Sequence, residues 1–359
     1  MPRNSALDRK RSALQLAKPP KSIHLVGVHT YVGKHVLLNA LSNAELRSVA
    51  LVEPHESAEV RDIVTSHGVP EPQFQNLEFC RLYLESEKSW AASLRGHDAA
   101  IVTLGPTREL PIGVGKRGTD ADALILTNAF KAMSAEKVDR AVVVLHSDES
   151  LSDHMSPRQL LRSPGAEPYS RMWRAMVDVK NRNEEVARIA HELASRYAPD
   201  VHITIVKPSR VLGTPADSQY GTSLRPLEQL LSRNRTGLAD LSVHVINVRD
   251  LAELSTRLLM RTPDGTKFSE IEAATHTVYV NQIVSSVRNE DQISGNDRPA
   301  PNFVLRVIAL FSVPMRSVVD SIGKHSPADS REARRVIGRD PISARDTFLE
   351  TARFLGVKN

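Results

Sequence analysis

Short, nearly uninterrupted apolar runs alternating with amphipathic helical stretches constrain this chain more than any other feature of its sequence. Ile23-His24-Leu25-Val26 stops at Gly27, and a helix-like stretch follows with apolar positions Val32, Val36, Leu37, Ala40 and Leu41. Val49-Ala50-Leu51-Val52 then ends at Glu53. The pattern continues with strands expected at Leu77 to Leu84, Ala99 to Leu104, Ala141 to Leu145 and Ile203 to Val206. Helices are expected at Ser89 to Leu94, Asp120 to Met133 and Met176 to Tyr197. Strands that are apolar on both faces need helices on each side, so the fold class is α/β, a doubly wound parallel sheet. Such sheets bind ligands beyond the carboxyl ends of their strands, which puts the candidate site in loops starting near Gly27, Glu53, Gly105, His146 and Pro208.

Composition narrows the classes further. With 359 residues, 41% apolar and 25% charged, the chain can build a large soluble core. Its single cysteine, Cys80, excludes an internal disulfide framework and a Cys-rich zinc site. The formal charge of +5 lies wholly in residues 1–22, where six bases meet one acid, and the rest of the chain balances. A nucleic-acid-binding face is therefore not expected. The tail reads either as a flexible solvated segment or as a mitochondrial targeting segment, although Leu7 and Leu14 share a helix side with Lys10 and Arg11. It has no continuous apolar run of the secretory kind, so the expected location is intracellular, in the cytoplasm or the mitochondrial matrix. Phe303 to Met315, interrupted by Arg306 and Pro314, is too short to span a bilayer. It reads as a packed helix or as a surface for a membrane or partner. No metal-ligand spacing, P-loop or nucleophile elbow occurs. Arg331, Arg334, Arg335 and Arg339, with Glu332 and Asp340 among them, read as a solvated helix face.

The turn Gly27-Val28-His29-Thr30-Tyr31-Val32-Gly33 joins the first strand to the first helix. In a dinucleotide fingerprint one glycine makes the turn, a second lets backbone approach the pyrophosphate and a third packs helix on strand. Gly27 and Gly33 hold the outer places, and Thr30 holds the middle one. Its hydroxyl is a potential phosphate donor, and the helix N-terminus offers N–H groups and a favourable dipole. Glu53, 20 residues beyond Gly33, is placed to accept from ribose hydroxyls and repel a 2′-phosphate, favouring NAD over NADP.

Taken in order, these segments resemble the extended short-chain dehydrogenase/reductase family, in particular its epimerase/dehydratase, dihydroflavonol reductase and 3β-hydroxysteroid dehydrogenase branches. The carriers are Gly27 to Gly33, Leu94 to Val102, Val206-Lys207-Pro208-Ser209-Arg210-Val211-Leu212-Gly213, Asn247 to Glu253, and Ile337 to Ile342 with Phe348 to Leu355. The resemblance implies a Rossmann domain over 23–213, to which 247–262 returns, and a smaller substrate-type region over 214–359. It also implies cofactor contacts from Gly27, His29, Thr30, Tyr31, Val32, Gly33, Glu53, Gly105, Lys180 and Pro208.

Family catalysis uses Ser, Tyr and Lys, the last two spaced Tyr-x-x-x-Lys so that the ammonium lowers the phenol's pKa. Lys180 matches the lysine and Ser147 the serine, but the tyrosine place is Met176, which exchanges no proton. Tyr169, read as lying in an irregular Pro-containing stretch, and His146 beside Ser147 are the substitute acids to consider. At the third strand, where the family often carries an acid against adenine, Tyr83 could stack on the base or pack a loop. Two readings follow. One is a non-catalytic NAD(P)-binding scaffold, assembly factor or sensor; the other is an active NAD-dependent oxidoreductase or epimerase with a substituted acid. The expected partners are a dinucleotide and an apolar small molecule or a protein.

Overall fold

The computed structural model describes residues 19–43, 46, 48–52, 57–105, 119–147, 167–218, 224, 242–262, 265–279 and 329–356. Seven strands form one parallel sheet: β1 (Ser22–Val26), β2 (Ser48–Val52), β3 (Leu77–Cys80), β4 (Ala99–Thr103), β5 (Arg140–Val144), β6 (His202–Pro208) and β9 (Phe268–Ala273). Their spatial order is β3-β2-β1-β4-β5-β6-β9, so the chain reverses direction across the sheet between β1 and β4. That junction opens a crevice at the carboxyl ends. A second sheet places β8 (Ser242–Asn247) between β7 (Arg210–Leu212), which is parallel to it, and β10 (His276–Tyr279), which is antiparallel.

Helices cover both faces of the large sheet. Helices α1 (Tyr31–Ser42) and α2 (Ser57–Ser66) lie on one side, followed along the chain by the short α3 (Glu71–Phe74). The other side carries α4 (Glu87–Leu94), α5 (Thr119–Ala135) and α6 (Glu167–Tyr197). Later in the chain, α7 (Val248–Met260) returns to pack on α1, and α8 (Arg331–Ile337) packs on α7. Helix α9 (Ala344–Phe354) lies against β7 and β8. Two buried apolar clusters result, one holding Ile23, Leu25, Val36 and Leu251, the other Val26, Trp90, Phe130 and Ile205. Each fully buried aliphatic or aromatic side chain contributes about 2 kcal/mol of transfer free energy. No described helix is long and apolar enough to cross a membrane.

Several elements differ from the sequence expectation, each for a local reason. β3 stops at Cys80 rather than Leu84, because the Ser86 N–H donates to Tyr83 O and the Ser86 hydroxyl then caps α4. Leu82 and Leu84 still bury, but against the α4–α5 layer. Tyr83 is 58% exposed and its hydroxyl accepts from Arg81 at 3.3 Å. Helix α6 begins at Glu167, nine residues before Met176, because Pro168 falls in the first turn, where no backbone N–H donor is needed. Tyr169 therefore lies on the helix and not in an irregular stretch. β9 has no counterpart among the strands expected above; it is the outermost strand, beside β6.

The arginine stretch is only partly a solvated face. Arg331 stays on the surface with Asp329 at 3.1 Å. Arg334 donates to Thr275 O at 3.1 Å, while Arg339 donates to Asp250 at 2.7 Å and to Glu253 at 2.6 Å. Asp250 has no exposed surface and also accepts from Ile342 N–H at 2.9 Å. Burial lifts its carboxyl above the ordinary carboxylate value, against the pull of Arg339 and that N–H. The opposite end of α7 is held from β5, where Arg140 donates to Arg261 O at 3.0 Å. Phe303 to Met315 lies outside the described residues.

Candidate functional site

The fingerprint turn is tight because three glycines each accept an approach that a side chain would block. Gly27 has φ +81°, and a β-carbon there would lie 2.1 Å from the Thr103 carbonyl oxygen. One at Gly33 would lie 1.9 Å from Gly27 O, and one at Gly105 would lie 2.4 Å from the Thr30 methyl. The turn at the end of β1 and the exit of β4 thus interlock across the crevice.

Thr30 caps α1. Its hydroxyl donates to Gly27 O at 2.8 Å and accepts from Gly33 N–H at 3.0 Å. That hydroxyl is therefore committed to the backbone, which corrects the expectation that it would donate to a phosphate. The first turn of α1 presents the backbone N–H groups of a helix N-terminus, the positive end of the helix dipole. These are the dipole-end donors that an anion would meet.

Tyr31 points inward: its hydroxyl donates to Gly213 O at 3.0 Å, and its ring meets His35 edge-on at 5.9 Å. Val32 is buried and His29 is half-buried. Lys34, next along the helix and buried, pairs with Asp217 and lies 3.9 Å from Glu59. Glu53 falls outside the described residues, one position past the end of β2.

At the ends of β5 and β6, Ser147, Lys180 and Pro208 converge on a cavity of about 140 Å³ that Asn183, Lys207 and His244 also line. Lys207 is held by Glu272 at 2.8 Å, Glu270 at 3.1 Å and Glu184 at 3.3 Å. Burial lowers its pKa, but hydrogen bonds to Glu272 and Glu270 more than offset this and hold the ammonium well above its ordinary value. Lys207 is thus a neutralised cation, whereas Lys180 makes no ion pair among the described residues. His244 places its Nδ1 3.0 Å from Thr277 Oγ1. Burial, and then the charge of Lys180, lower its pKa, so its imidazole is neutral at pH 7.

His146 does not face this cavity. Its ring is 1% exposed, with Nε2 3.0 Å from Asp122 Oδ1, and Asp122 in turn accepts from Arg182 at 2.8 Å. Burial would raise the Asp122 carboxyl, but His146 and Arg182 hold it below the usual carboxylate value. The backbone carbonyl of His146 accepts from Asn183 Nδ2 at 2.9 Å, so helix α6 anchors the exit of β5. Met176 precedes Lys180 by one turn of α6, where the family's phenol would stand. Tyr169 is eleven residues before Lys180, about 16 Å along the helix axis. Among the described residues no cluster of three or more His, Cys, Asp or Glu is arranged to hold a metal ion.

Sequence reasoning brought out Ser147, Lys180 and Pro208, which the structure gathers on one cavity. It missed Asn183 and His244, both of which read from sequence as ordinary polar positions of a helix and a strand. Asn183 lies three residues after Lys180, and that helix-face spacing is the one signal that could have found it.

No protein-family model matches the chain, and no curated protein matches it. Solved structures do. A reductase, Gre2, from Candida albicans in complex with NADPH matches with a TM-score of 0.62 at 11% identity, covering 94% of this chain and 99% of that one. Vestitone reductase from alfalfa matches with a TM-score of 0.55 at 15% identity, covering 93% and 98%. UDP-N-acetylglucosamine 4-epimerase from Methanobrevibacter ruminantium matches with a TM-score of 0.56 at 14% identity, covering 94% and 98%. These likenesses run over nearly the whole length of each chain, and the fold is that of the extended short-chain reductases and epimerases.

Proposed function

We propose that the chain binds a nicotinamide dinucleotide, NAD in preference to NADP, and has lost the tyrosine-based catalysis of the proteins it resembles. Its role is then that of a scaffold, an assembly factor or a nucleotide sensor, with a protein or an apolar small molecule as partner. One observation carries this reading: Ser147 and Lys180 share a cavity, but among the described residues no phenol takes the tyrosine's place, and the imidazole that lines the cavity, His244, comes from β8. Met176 occupies that position on α6, Tyr169 is about 16 Å from Lys180 along the helix, and the His146 ring is locked on Asp122.

The residues present fit a dinucleotide. The interlocked Gly27, Gly33 and Gly105 keep the turn narrow, and the N-terminal end of α1 would face the pyrophosphate. Glu53 would accept from the adenine-side ribose, while Lys180 and Pro208 would flank the nicotinamide side. When bound, the nicotinamide supplies a hydride donor or acceptor. With Met176 at the phenol's position, Lys180 has no phenol one turn before it to tune and is left to bind.

Titration of the purified protein with NADH and NADPH, followed by nicotinamide fluorescence, tests the proposal. Saturable binding that is tighter for NADH, with no redox turnover on sterol, flavonoid or nucleotide-sugar substrates, is expected. Turnover that disappears in Lys180→Ala would overturn the loss of catalysis.

A further inference from the structure

Helix α1 holds more than its own turn. Three of its side chains, Tyr31, Lys34 and His35, stand at i, i+3 and i+4 and so share one helix face. All three grip the same short strap, residues 213–217, which follows β7. Tyr31 donates its hydroxyl to Gly213 O at 3.0 Å, the His35 ring is hydrogen-bonded to the Thr214 backbone, and the Lys34 ammonium pairs with Asp217. Between 213 and 217 the chain is neither helix nor strand, so side chains of α1 do there what a backbone ladder does elsewhere.

This strap is tethered with room beside it. It leaves β7 at Gly213, whose φ of +128° a glycine adopts with ease, and a β-carbon there would lie 3.1 Å from Val248 and from Glu350 Oε1. Beyond that narrow pass Thr214 is exposed, and Thr214 and Pro215 form one wall of a cavity of about 540 Å³ between α1 and α7. Lys34, whose side chain is 4% exposed, also lies 3.9 Å from Glu59 in the first turn of α2. The ammonium therefore keeps a carboxylate partner whether the strap is down, on Asp217, or away, on Glu59. Two arrangements of one buried cation, with open volume beside the segment that moves, make a two-state element that can open without unfolding the sheet.

We infer that the strap 213–217 is coupled to the dinucleotide turn: a ligand in the Gly27–Gly33 turn fixes the start of α1 and so holds the strap down, and a released strap loosens the turn. Tyr31 is the first residue of α1, so whatever orders that turn also orders the hydroxyl that holds Gly213. By linkage the effect is equal in both directions. The inference rests on the dinucleotide reading above and gives its sensor version a moving part.

Both directions are measurable. In the wild type, saturating NADH should slow hydrogen exchange of the Gly213 amide, which donates to Thr351 Oγ1 at 2.9 Å, by about tenfold, an arm that needs no variant to fold. In Asp217→Ala and in Tyr31→Phe, NADH affinity by fluorescence titration should fall about tenfold, with circular dichroism to check folding. Lys34→Met/Asp217→Ala should match Asp217→Ala, because the freed strap, and not an unpaired ammonium, weakens the turn. Tyr31→Phe/Asp217→Ala should lose less than the two single losses multiplied, since both free the same strap. Charge alone has the opposite sign, because removing a carboxylate from beside the pyrophosphate end of α1 would tighten NADH binding. Gly213 exchange that NADH leaves unchanged would overturn the inference, as would wild-type or tighter affinity in Asp217→Ala, and either result leaves dinucleotide binding standing. Losses that multiply in full would mark two independent defects and overturn it too. Absence of saturable NADH binding to the wild type would instead remove the dinucleotide reading and the inference with it.

Discussion

Acid should weaken this fold through His24, and the size of the effect follows from where that side chain sits. His24 is in the middle of β1, between β2 and β4, with no exposed surface. Its Nδ1 has no partner, its Nε2 lies 3.4 Å from Ser93 Oγ, and the His97 ring stands 5.5 Å away. Burial chiefly, and then the charge of His97, lower its pKa from 6.5 to about 3. Below pH 6.5 the unfolded chain binds a proton that the folded chain refuses, so stability is whole above that pH and declines as pH falls toward 3. The decline approaches about 1.4 kcal/mol per pH unit, so His24 alone removes about 2 kcal/mol between pH 7.5 and pH 5. Urea unfolding at the two pH values, in wild type and His24→Leu, measures it. The variant should lose about 2 kcal/mol less than the wild type over that interval. His35, lowered to about 4 mainly by burial, adds a slope of its own that His24→Leu retains. An unchanged pH dependence in the variant, or a His24 ring that titrates near 6.5 by NMR, would refute the reasoning.

Other substitutions test the scaffold of the site. Gly27→Ala adds a β-carbon 2.1 Å from Thr103 O at φ +81°, so it should cost about 3 kcal/mol or more and show as a large drop in melting temperature. A variant that melts with the wild type would show that the turn is looser than described. Asp122→Ala strips the partner from His146 and Arg182 and should lower the urea-unfolding free energy by about 2–4 kcal/mol. Were Asp122→Ala neutral, the pair would not be what holds the end of β5. Arg339→Ala should speed hydrogen exchange across residues 339–356 while leaving the central strands protected, since Arg339 joins that segment to Asp250 and Glu253. Uniform exchange in both regions would contradict this placement.

The sheet was legible because its strands carry their own signature: runs such as Ala99 to Thr103 and Arg140 to Val144 bury every residue, and little but a two-sided parallel sheet accepts that. β9 was illegible for the converse reason. As an outermost strand it alternates exposed and buried residues from Glu270 to Ala273, so it lacks the continuous apolar run that marks the inner strands. At the site, Lys180 and Met176 were readable from spacing along one helix, which needs no tertiary knowledge. His146 and Asp122, 24 positions apart, could not be paired from sequence, because their contact depends on how α5 lies across the sheet. Thr30 was placed correctly as the middle residue of the turn, but the direction of its hydroxyl is a matter of capping geometry.

The link from Tyr31 to the far end of the chain has a consequence for how the molecule is made. The Tyr31 hydroxyl holds the carbonyl of Gly213, and the N–H of that same glycine is held by Thr351 Oγ1 at 2.9 Å. A single residue therefore couples the first helical turn to the last helix. During synthesis the strands that flank the turn emerge well before Thr351, the residue that secures its anchor. The turn thus stays without its anchor until α9 has been made, and chains cut short of α9 should fold their sheet while leaving that turn poorly ordered.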